Sequence, residues 1–259
     1  MLVEKFKEIY RYRSNLWTIA NFNLKDRYAG SLLGLAWAVV VPCLLMLSVT
    51  VVFRYVFRIE IKNFELFVFS GLFPWMFTSS ALFDSATSLV SQRNILRQFA
   101  VPRIVVPLAS ALTNFLNYIF GFLLVYPIFL IVNPGIIELF PVFIFTIVTH
   151  FIFVCGLGLL LSVINAFYRG LTHVLGVILI IWLWATPVFY DPLMVPVEFR
   201  WVIYCNPMNL YISAYRDVLF FGRLPQPNLL AVMIIFSFIV FVSGLFVLSK
   251  NERKILKKI

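Results

Sequence analysis

Long apolar windows, each bounded by charged or turn-forming residues, dominate the pattern of hydrophobic and polar positions along this chain. A helix needs about 20 apolar residues to cross a bilayer, whereas the strands of a membrane barrel are about 10 residues of alternating polarity. Because these windows are about twice as long as barrel strands and do not alternate, they predict an all-α membrane protein. The six predicted transmembrane helices lie at residues 32–53, 66–83, 104–132, 139–164, 171–190 and 229–249.

The segments outside the spans have patterns of their own. Residues 1–31 place apolar positions at helical spacing with cations largely on other faces, which predicts an amphipathic helix in the membrane surface. The alternative is a cytoplasmic helix packed on another surface. Residues 191–228 mix apolar and aromatic positions with Pro and Asn, which predicts short re-entrant or gate helices after the fifth span. We expect residues 1–259 to form a single transmembrane domain that ends in a basic tail, 250–259.

Composition and charge support a membrane location and indicate an orientation. The chain is 62% hydrophobic and 12% charged, against about 45–50% and about 25% in soluble domains. Its net charge of +10 sits in segments that flank the apolar windows, which favours contact with lipid headgroups over nucleic acid. With the N-terminus inside, the inner segments hold 15 basic and 5 acidic residues and the outer segments 6 and 6. The positive-inside rule therefore predicts that both termini are cytoplasmic.

Motifs for bond-making chemistry are absent from the sequence. No Gly is followed by Lys, so the chain has no P-loop, and it has no zinc-protease or nucleophile-elbow motif. The three cysteines have no metal-binding spacing. For His150, the sequence favours a packed or interfacial side chain over a role as a proton relay, since the predicted spans contain no acidic partner. Spans without charge also argue against ion-coupled transport, so we expect any driving energy to come from another protein.

The loop between the second and third spans has a regular pattern. Residues 88–103 contain three arginines, no acid and evenly spaced apolar positions, and a proline at 102 closes the pattern. This predicts a short amphipathic cytoplasmic helix that either lies on lipid or docks into a groove of a partner.

Aromatic residues are the other marked feature, with 29 Phe, 11 Tyr and 6 Trp. Trp182, Trp184, Phe189 and Tyr190 cluster at the outer half of the fifth span. Aromatic faces suit the C–H faces of sugars and also acyl chains, and ordinary lipid-facing packing is the alternative for any single ring.

Three blocks of residues carry a family pattern, in order, over nearly the whole chain. The block that leads into the first span is Lys25-Asp26-Arg27-Tyr28, Ser31, Leu33-Gly34, Trp37 and Pro42. The block of the second span and its loop is Leu72-Phe73-Pro74-Trp75, Ser88-Leu89-Val90 and Val101-Pro102-Arg103. The block that ends the fifth span is Thr186-Pro187-Val188-Phe189-Tyr190, Asn206-Pro207-Met208, Arg216-Asp217, Leu219-Phe220 and Gly222. This ordered set resembles the membrane subunit of bacterial ABC exporters of polysaccharide, the O-antigen and teichoic-acid permeases.

The resemblance implies a homodimer in the bacterial cytoplasmic membrane that docks two separate ATP-binding-cassette ATPase subunits. ATP and Mg would bind those partners, and this chain would carry no cofactor and no metal. The implied ATPase contact is the loop helix, with residues Arg93, Asn94, Ile95, Leu96, Arg97, Phe99 and Arg103. The implied cargo is a polyprenyl-diphosphate-linked polysaccharide, with O-antigen as the first candidate.

The same resemblance implies contacts for that cargo. Aromatic side chains would line its path, and the candidates are Trp37, Trp182, Trp184, Phe189 and Tyr190. On the inner side, Lys25 and Arg27 would contact the diphosphate or lipid headgroups, and the loop 191–228 would act as a gate.

Three other interpretations remain open at the level of sequence. An ABC exporter of lipids or drugs would have the same architecture. A membrane enzyme acting on lipid-linked sugars would need a converging set of carboxylates or histidines, which the sequence does not show. A structural scaffold would leave the proline-bearing spans without a role.

Overall fold

The computed structural model describes residues 2–93, 101–168 and 170–258, and within those residues the chain is helical with no β-strand. The prediction of an all-α protein is therefore confirmed. The helices are α1 (Leu2–Arg11), α2 (Arg13–Tyr28), α3 (Trp37–Val51), α4 (Phe64–Ser91), α5 (Val105–Val132), α6 (Phe140–Phe167), α7 (Leu171–Ala185), α8 (Arg200–Tyr204), α9 (Pro207–Leu219) and α10 (Pro227–Lys258).

Among the described residues, five helical stretches are long and apolar enough to cross a membrane, as expected of a multi-pass membrane protein. They are Gly34–Val56, which includes α3, together with Phe64–Ser91, Val105–Val132, Phe140–Phe167 and Pro227–Ile255.

Helix α7 stands where the fifth span is predicted, but it is shorter than the other spans. Its 15 residues rise about 22 Å, less than the roughly 30 Å of a hydrocarbon core. The helix stops at Ala185 because the backbone of Thr186 is extended, with φ −98° and ψ 133°, as is favoured before a proline. The chain therefore leaves the helix five residues before the predicted end at 190.

Helix α4 differs from its predicted span in the opposite direction. The predicted span stops at 83 because Asp84 follows, whereas the helix continues to Ser91. The Asp84 carboxylate accepts hydrogen bonds from Arg27 of α2 and Asn114 of α5. A paired charge near the end of a span does not need to leave the helix.

The core lies between α4 and α6. The apolar windows of α4 and α6 are 78% and 61% buried, whereas those of the α3 stretch, α5 and α10 are 17 to 28% buried. Helix α6 and α10 cross closely at two glycines: a Cβ on Gly156 would lie 2.6 Å from the backbone nitrogen of Phe241, and one on Gly244 would lie 2.5 Å from the carbonyl oxygen of Gly156. Small residues allow such an approach between membrane helices.

The predicted N-terminal helix is two helices, α1 and α2, which together we call the arm, and both pack on the bundle. Helix α1 lies against α10, with the rings of Phe6 and Phe241 6.1 Å apart. Helix α2 lies along α5, where the hydroxyl of Thr113 donates to the carbonyl of Ala20 at 3.2 Å. The outward side of α2 exposes Trp17 and other apolar residues.

Candidate functional site

Two adjoining cavities form a groove along one side of α4. The arm-side cavity, of about 210 Å³, lies between the end of α2 and helices α3, α4 and α5; it is lined by Tyr28, Trp37, Ala38, Val41, Pro42, Phe73, Met76, Phe77, Ser80, Asn114, Asn117 and Tyr118. The loop-side cavity, of about 430 Å³, lies between α3, α4 and the end of α7; it is lined by Leu45, Val49, Phe53, Leu72, Trp75, Met76, Ser79, Ser80, Leu183, Trp184 and Phe189. Met76 and Ser80 border both cavities, so the two are continuous. We call them together the aromatic groove.

Ring packing gives the arm-side cavity a rigid wall. Tyr118 lies between Phe73 and Phe77, with ring centroids 5.0 and 5.1 Å away. Trp37 is oriented by a hydrogen bond of 2.8 Å from its indole nitrogen to the hydroxyl of Ser31. The indole remains 39% exposed, so a ligand in the cavity can contact it.

Three of the five predicted path residues border the aromatic groove. Trp37 lines the arm-side cavity, and Trp184 and Phe189 line the loop-side cavity. Trp182 and Tyr190 do not line either cavity. The Trp182 indole donates to Asn206 at 2.8 Å, and the Tyr190 hydroxyl donates to the carbonyl of Trp184 at 3.0 Å. These two side chains hold the end of α7 in place.

The predicted inner-side cations have different surroundings. Arg27 donates to Asp84 at 2.5 Å and to Asn114 at 3.0 Å. Asn114 in turn donates to Asp84 at 2.8 Å, and the hydroxyl of Tyr28 donates to the side chain of Asn117. These bonds fix the end of α2 beside the arm-side cavity, and they pair the charge of Arg27 with that of Asp84. Lys25 is exposed on the same helix.

The loop after α7 folds back into the bundle as helix α9. This helix contacts α4, α6 and α10, and Tyr211 and Tyr215 are fully buried. His150 of α6 is buried beside it, with its ring nitrogens 2.8 Å from the Thr78 hydroxyl and 3.2 Å from the Tyr215 hydroxyl. The histidine is therefore packed in the core, as the sequence favours. The loop thus contains short helices, α8 and α9; their predicted role as re-entrant or gate helices stays a prediction.

Two polar side chains connect α9 to the end of α7. The Asn206 side chain accepts from the backbone nitrogen of Met208 and caps α9. Arg216 donates to the carbonyl of Val188 at 2.6 Å, and its guanidinium lies 3.7 Å from the ring centroid of Phe67. An arginine that is 5% exposed and bound to backbone carbonyls ties this loop to the loop-side cavity. Sequence reasoning gave Arg216 no role beyond its place in the family pattern.

Comparison with known proteins identifies the family. The model of the ABC-2 type transporter family matches residues 14–220, which include the arm-side cavity, the loop-side cavity and α9. The chain belongs to the ABC-2 type transporter family.

Curated relatives of this ABC-2 membrane subunit carry a more specific name. An O-antigen export system permease protein RfbA of Klebsiella pneumoniae is 30% identical over 241 residues, which is 91% of each chain. A protein of the same name from Myxococcus xanthus is 30% identical over 234 residues, which is 87% of each chain. These relatives are permease subunits of ABC transporters. The chain is accordingly an ABC exporter permease and not an enzyme, and ATP hydrolysis belongs to a separate subunit.

The structure describes only the two ends of the predicted ATPase contact, residues 93 and 101–103. Arg93 is exposed after the end of α4, and Arg103 lies just before α5, with its guanidinium 3.5 Å from the carboxylate of Glu252. The other candidates lie outside the described residues; they are Asn94, Ile95, Leu96, Arg97 and Phe99.

Glu252 of α10 joins this end of the subunit to the arm. One carboxylate oxygen faces Arg103, and the other accepts from Lys5 of α1 at 2.8 Å. Lys5 also binds Glu8. Burial alone would lower the pKa of Lys5, but the hydrogen bonds to Glu252 and Glu8 outweigh it and raise that pKa. Sequence reasoning missed Glu252, and its signal was that it is the single acid in the basic tail.

Proposed function

We propose that two copies of this chain form the transmembrane channel of an ABC exporter for a polyprenyl-diphosphate-linked polysaccharide. O-antigen is the first candidate, since the curated relatives are named for its export. The channel lies in the bacterial cytoplasmic membrane with both termini in the cytoplasm. Two ATP-binding-cassette subunits, which bind ATP and Mg, dock at residues 93–103 and drive transport.

The aromatic groove is the observation that carries the choice of a glycan. Sugar rings present C–H faces that pack on aromatic rings, and their hydroxyls need hydrogen-bonding groups. The groove offers both: it has aromatic walls in each cavity, and it has hydroxyl and amide side chains at Ser79, Ser80, Asn114 and Asn117. A channel made only for an acyl chain has no use for these polar groups.

The charge distribution supports an external ATPase and a partner on the arm side. The five membrane-crossing stretches hold few charges, so a driving ion has few groups to pair with. Cations and the Glu252 cluster gather instead where α1, the start of α5 and the end of α10 meet. A subunit that moves residues 93–103 acts next to this cluster.

Reconstitution tests the proposal. The chain is purified with its ATPase partner and placed in vesicles that contain lipid-linked glycan, and glycan appearing on the far side is measured with ATP. A partner whose ATP-binding lysine is substituted is the control. Absence of a stable complex, or ATP-dependent transfer of phospholipid or drug without transfer of glycan, would contradict the proposal, and the second result would favour the lipid or drug exporter.

Charge reversal tests the docking site separately. The pair Arg93→Glu and Arg97→Glu is expected to weaken ATPase binding by at least tenfold and to leave membrane insertion intact, since repulsion replaces attraction at a surface contact. Arg58→Glu is the matched control, because Arg58 is exposed in the loop between α3 and α4. Normal ATPase binding by the double variant would refute this docking site.

A further inference from the structure

Ser80 is an exception among the hydroxyls of α4. This helix carries eight serine and threonine residues, and seven of them donate to a backbone carbonyl. Ser80 is the eighth. Among the described residues its hydroxyl has no hydrogen-bond partner, and its side chain is exposed.

The depth of Ser80 makes this exposure informative. Ser80 lies about three helical turns from the end of α4 at Ser91. An unpaired hydroxyl that faces hydrocarbon is costly, and exposed polar groups at this depth face a cavity or a polar path instead. Ser80 borders both cavities of the aromatic groove, so the groove is the polar path that it faces.

Asn117 supplies a second free donor at the same level. It lies about three turns from the start of α5 at Val105, and α4 and α5 are consecutive helices that pack together. Its amide oxygen accepts from Tyr28, while its amide nitrogen has no partner among the described residues. Asn117 lines the arm-side cavity together with Ser80.

The charge of the groove defines the ligand. Among the described residues, no Asp, Glu, Lys or Arg lines either cavity, so the groove suits an uncharged group better than a diphosphate. A hydrocarbon tail uses neither a hydroxyl nor an amide donor. A neutral sugar ring has oxygens for both donors and a C–H face for the exposed indole of Trp37.

We propose that Ser80 and Asn117 form a hydrogen-bonding site for the uncharged sugar rings of the transported glycan, with Trp37 as the stacking surface. The proposal rests on the proposed function for its ligand. It places sugar recognition inside the groove, about three turns from the arm-side end of the membrane helices.

Cysteine labelling tests whether the site is accessible to water. Ser80→Cys and Asn117→Cys are made in a chain whose own cysteines are replaced, and a charged, membrane-impermeant methanethiosulfonate is applied to vesicles from both sides. Thiolates form only in water, so both cysteines are expected to react. Leu123→Cys is the matched control, because Leu123 is 67% exposed on α5 and lines neither cavity. Failure of Ser80→Cys to react, or equal reaction of the control, would overturn the site.

Protection and export then test the ligand. Purified lipid-linked glycan is expected to slow the labelling of Ser80→Cys several-fold, whereas unmodified polyprenyl phosphate is not; equal protection by both would mean that a lipid chain fills the groove and would overturn the proposal.

Ser80→Ala should lower export roughly fivefold, the size expected for one neutral hydrogen bond. Ser70→Ala is the control, because the Ser70 hydroxyl is buried and bound to the Phe67 carbonyl.

The two proposals fail in different ways. Wild-type protein that exports no glycan with its ATPase contradicts the proposed function, whatever the labelling shows. Wild-type protein that exports glycan, with Ser80→Ala and Asn117→Leu equally active, contradicts the sugar site alone.

Discussion

Replacing Asn206 with alanine removes the side chain that joins the end of α7 to the start of α9. Its amide oxygen accepts from the Trp182 indole at 2.8 Å and from the Met208 backbone at 3.0 Å. Its amide nitrogen donates to the Thr186 hydroxyl at 2.8 Å and to the Ala185 carbonyl at 3.1 Å. The residue is 7% exposed, so water does not replace these partners.

Two effects set the size of the loss. Removing an N-cap costs about 1 kcal/mol, and leaving the indole N–H of Trp182 unpaired costs about 1–3 kcal/mol. We therefore expect Asn206→Ala to lower the free energy of unfolding by about 2–4 kcal/mol. Asn206→Ser keeps a capping oxygen and is expected to recover the capping part of that loss, about 1 kcal/mol.

Equilibrium unfolding in mixed micelles measures this loss, and a double-mutant cycle assigns it. Trp182→Phe removes the indole donor while keeping a ring beside Trp75, whose centroid is 5.4 Å from that of Trp182. In the Trp182→Phe background, the loss of unfolding free energy on Asn206→Ala should be smaller than in the wild type by about 1 kcal/mol or more, because no indole N–H is left unpaired. A cost below about 0.5 kcal/mol in the wild-type background, or equal costs in both backgrounds, would refute the reasoning.

Two further predictions concern helix contacts. Gly156→Leu should prevent the accumulation of folded protein, because its Cβ meets backbone at 2.6 Å, whereas Gly176→Leu on α7, where a Cβ meets nothing within 4 Å, should accumulate normally on an immunoblot of membranes. The contact between α1 and α10 should loosen as the pH rises into the alkaline range: the folded-state pKa of Lys5 is raised from its ordinary value of 10.5, so the stabilisation from the Lys5 charge is present at neutral pH and is lost as pH rises through the raised value. Energy transfer between labels on α1 and α10 follows this transition, and Glu252→Gln should loosen the contact already at neutral pH; an unchanged signal in that variant would contradict the role of the Lys5–Glu252 pair.

The sequence predicts the helical class and the position of each apolar helix, because lipid forces the backbone to bond within the segment. It places helix ends less well. The window rule ends the second span at 83, yet the partner that keeps Asp84 in α4 is Arg27, which is distant in sequence. The end of α7 could have been read from Pro187, because the residue before a proline avoids the helical region.

The candidate site, too, can be predicted from the sequence only in part. Aromatic enrichment near the end of α7 points to the right region, but Trp182 and Trp184 differ in role because Asn206 binds one and not the other. Ser79 and Ser80 are indistinguishable in sequence. Only the structure shows that Ser79 bonds to the carbonyl of Met76 while its neighbour has no partner among the described residues.

The short α7 has a consequence for the surrounding bilayer. Its apolar outer surface, which includes Ile180 and Ile181, matches a hydrocarbon layer thinner than the one matched by α4 and α6, the 28-residue helices beside it. Hydrophobic mismatch of this kind thins the adjacent leaflets at a cost of fractions of a kcal/mol for each Å. A lipid headgroup that crosses the membrane next to α7 meets a shorter hydrocarbon barrier there, so the length of α7 would help to determine where the proposed lipid-linked cargo crosses most easily.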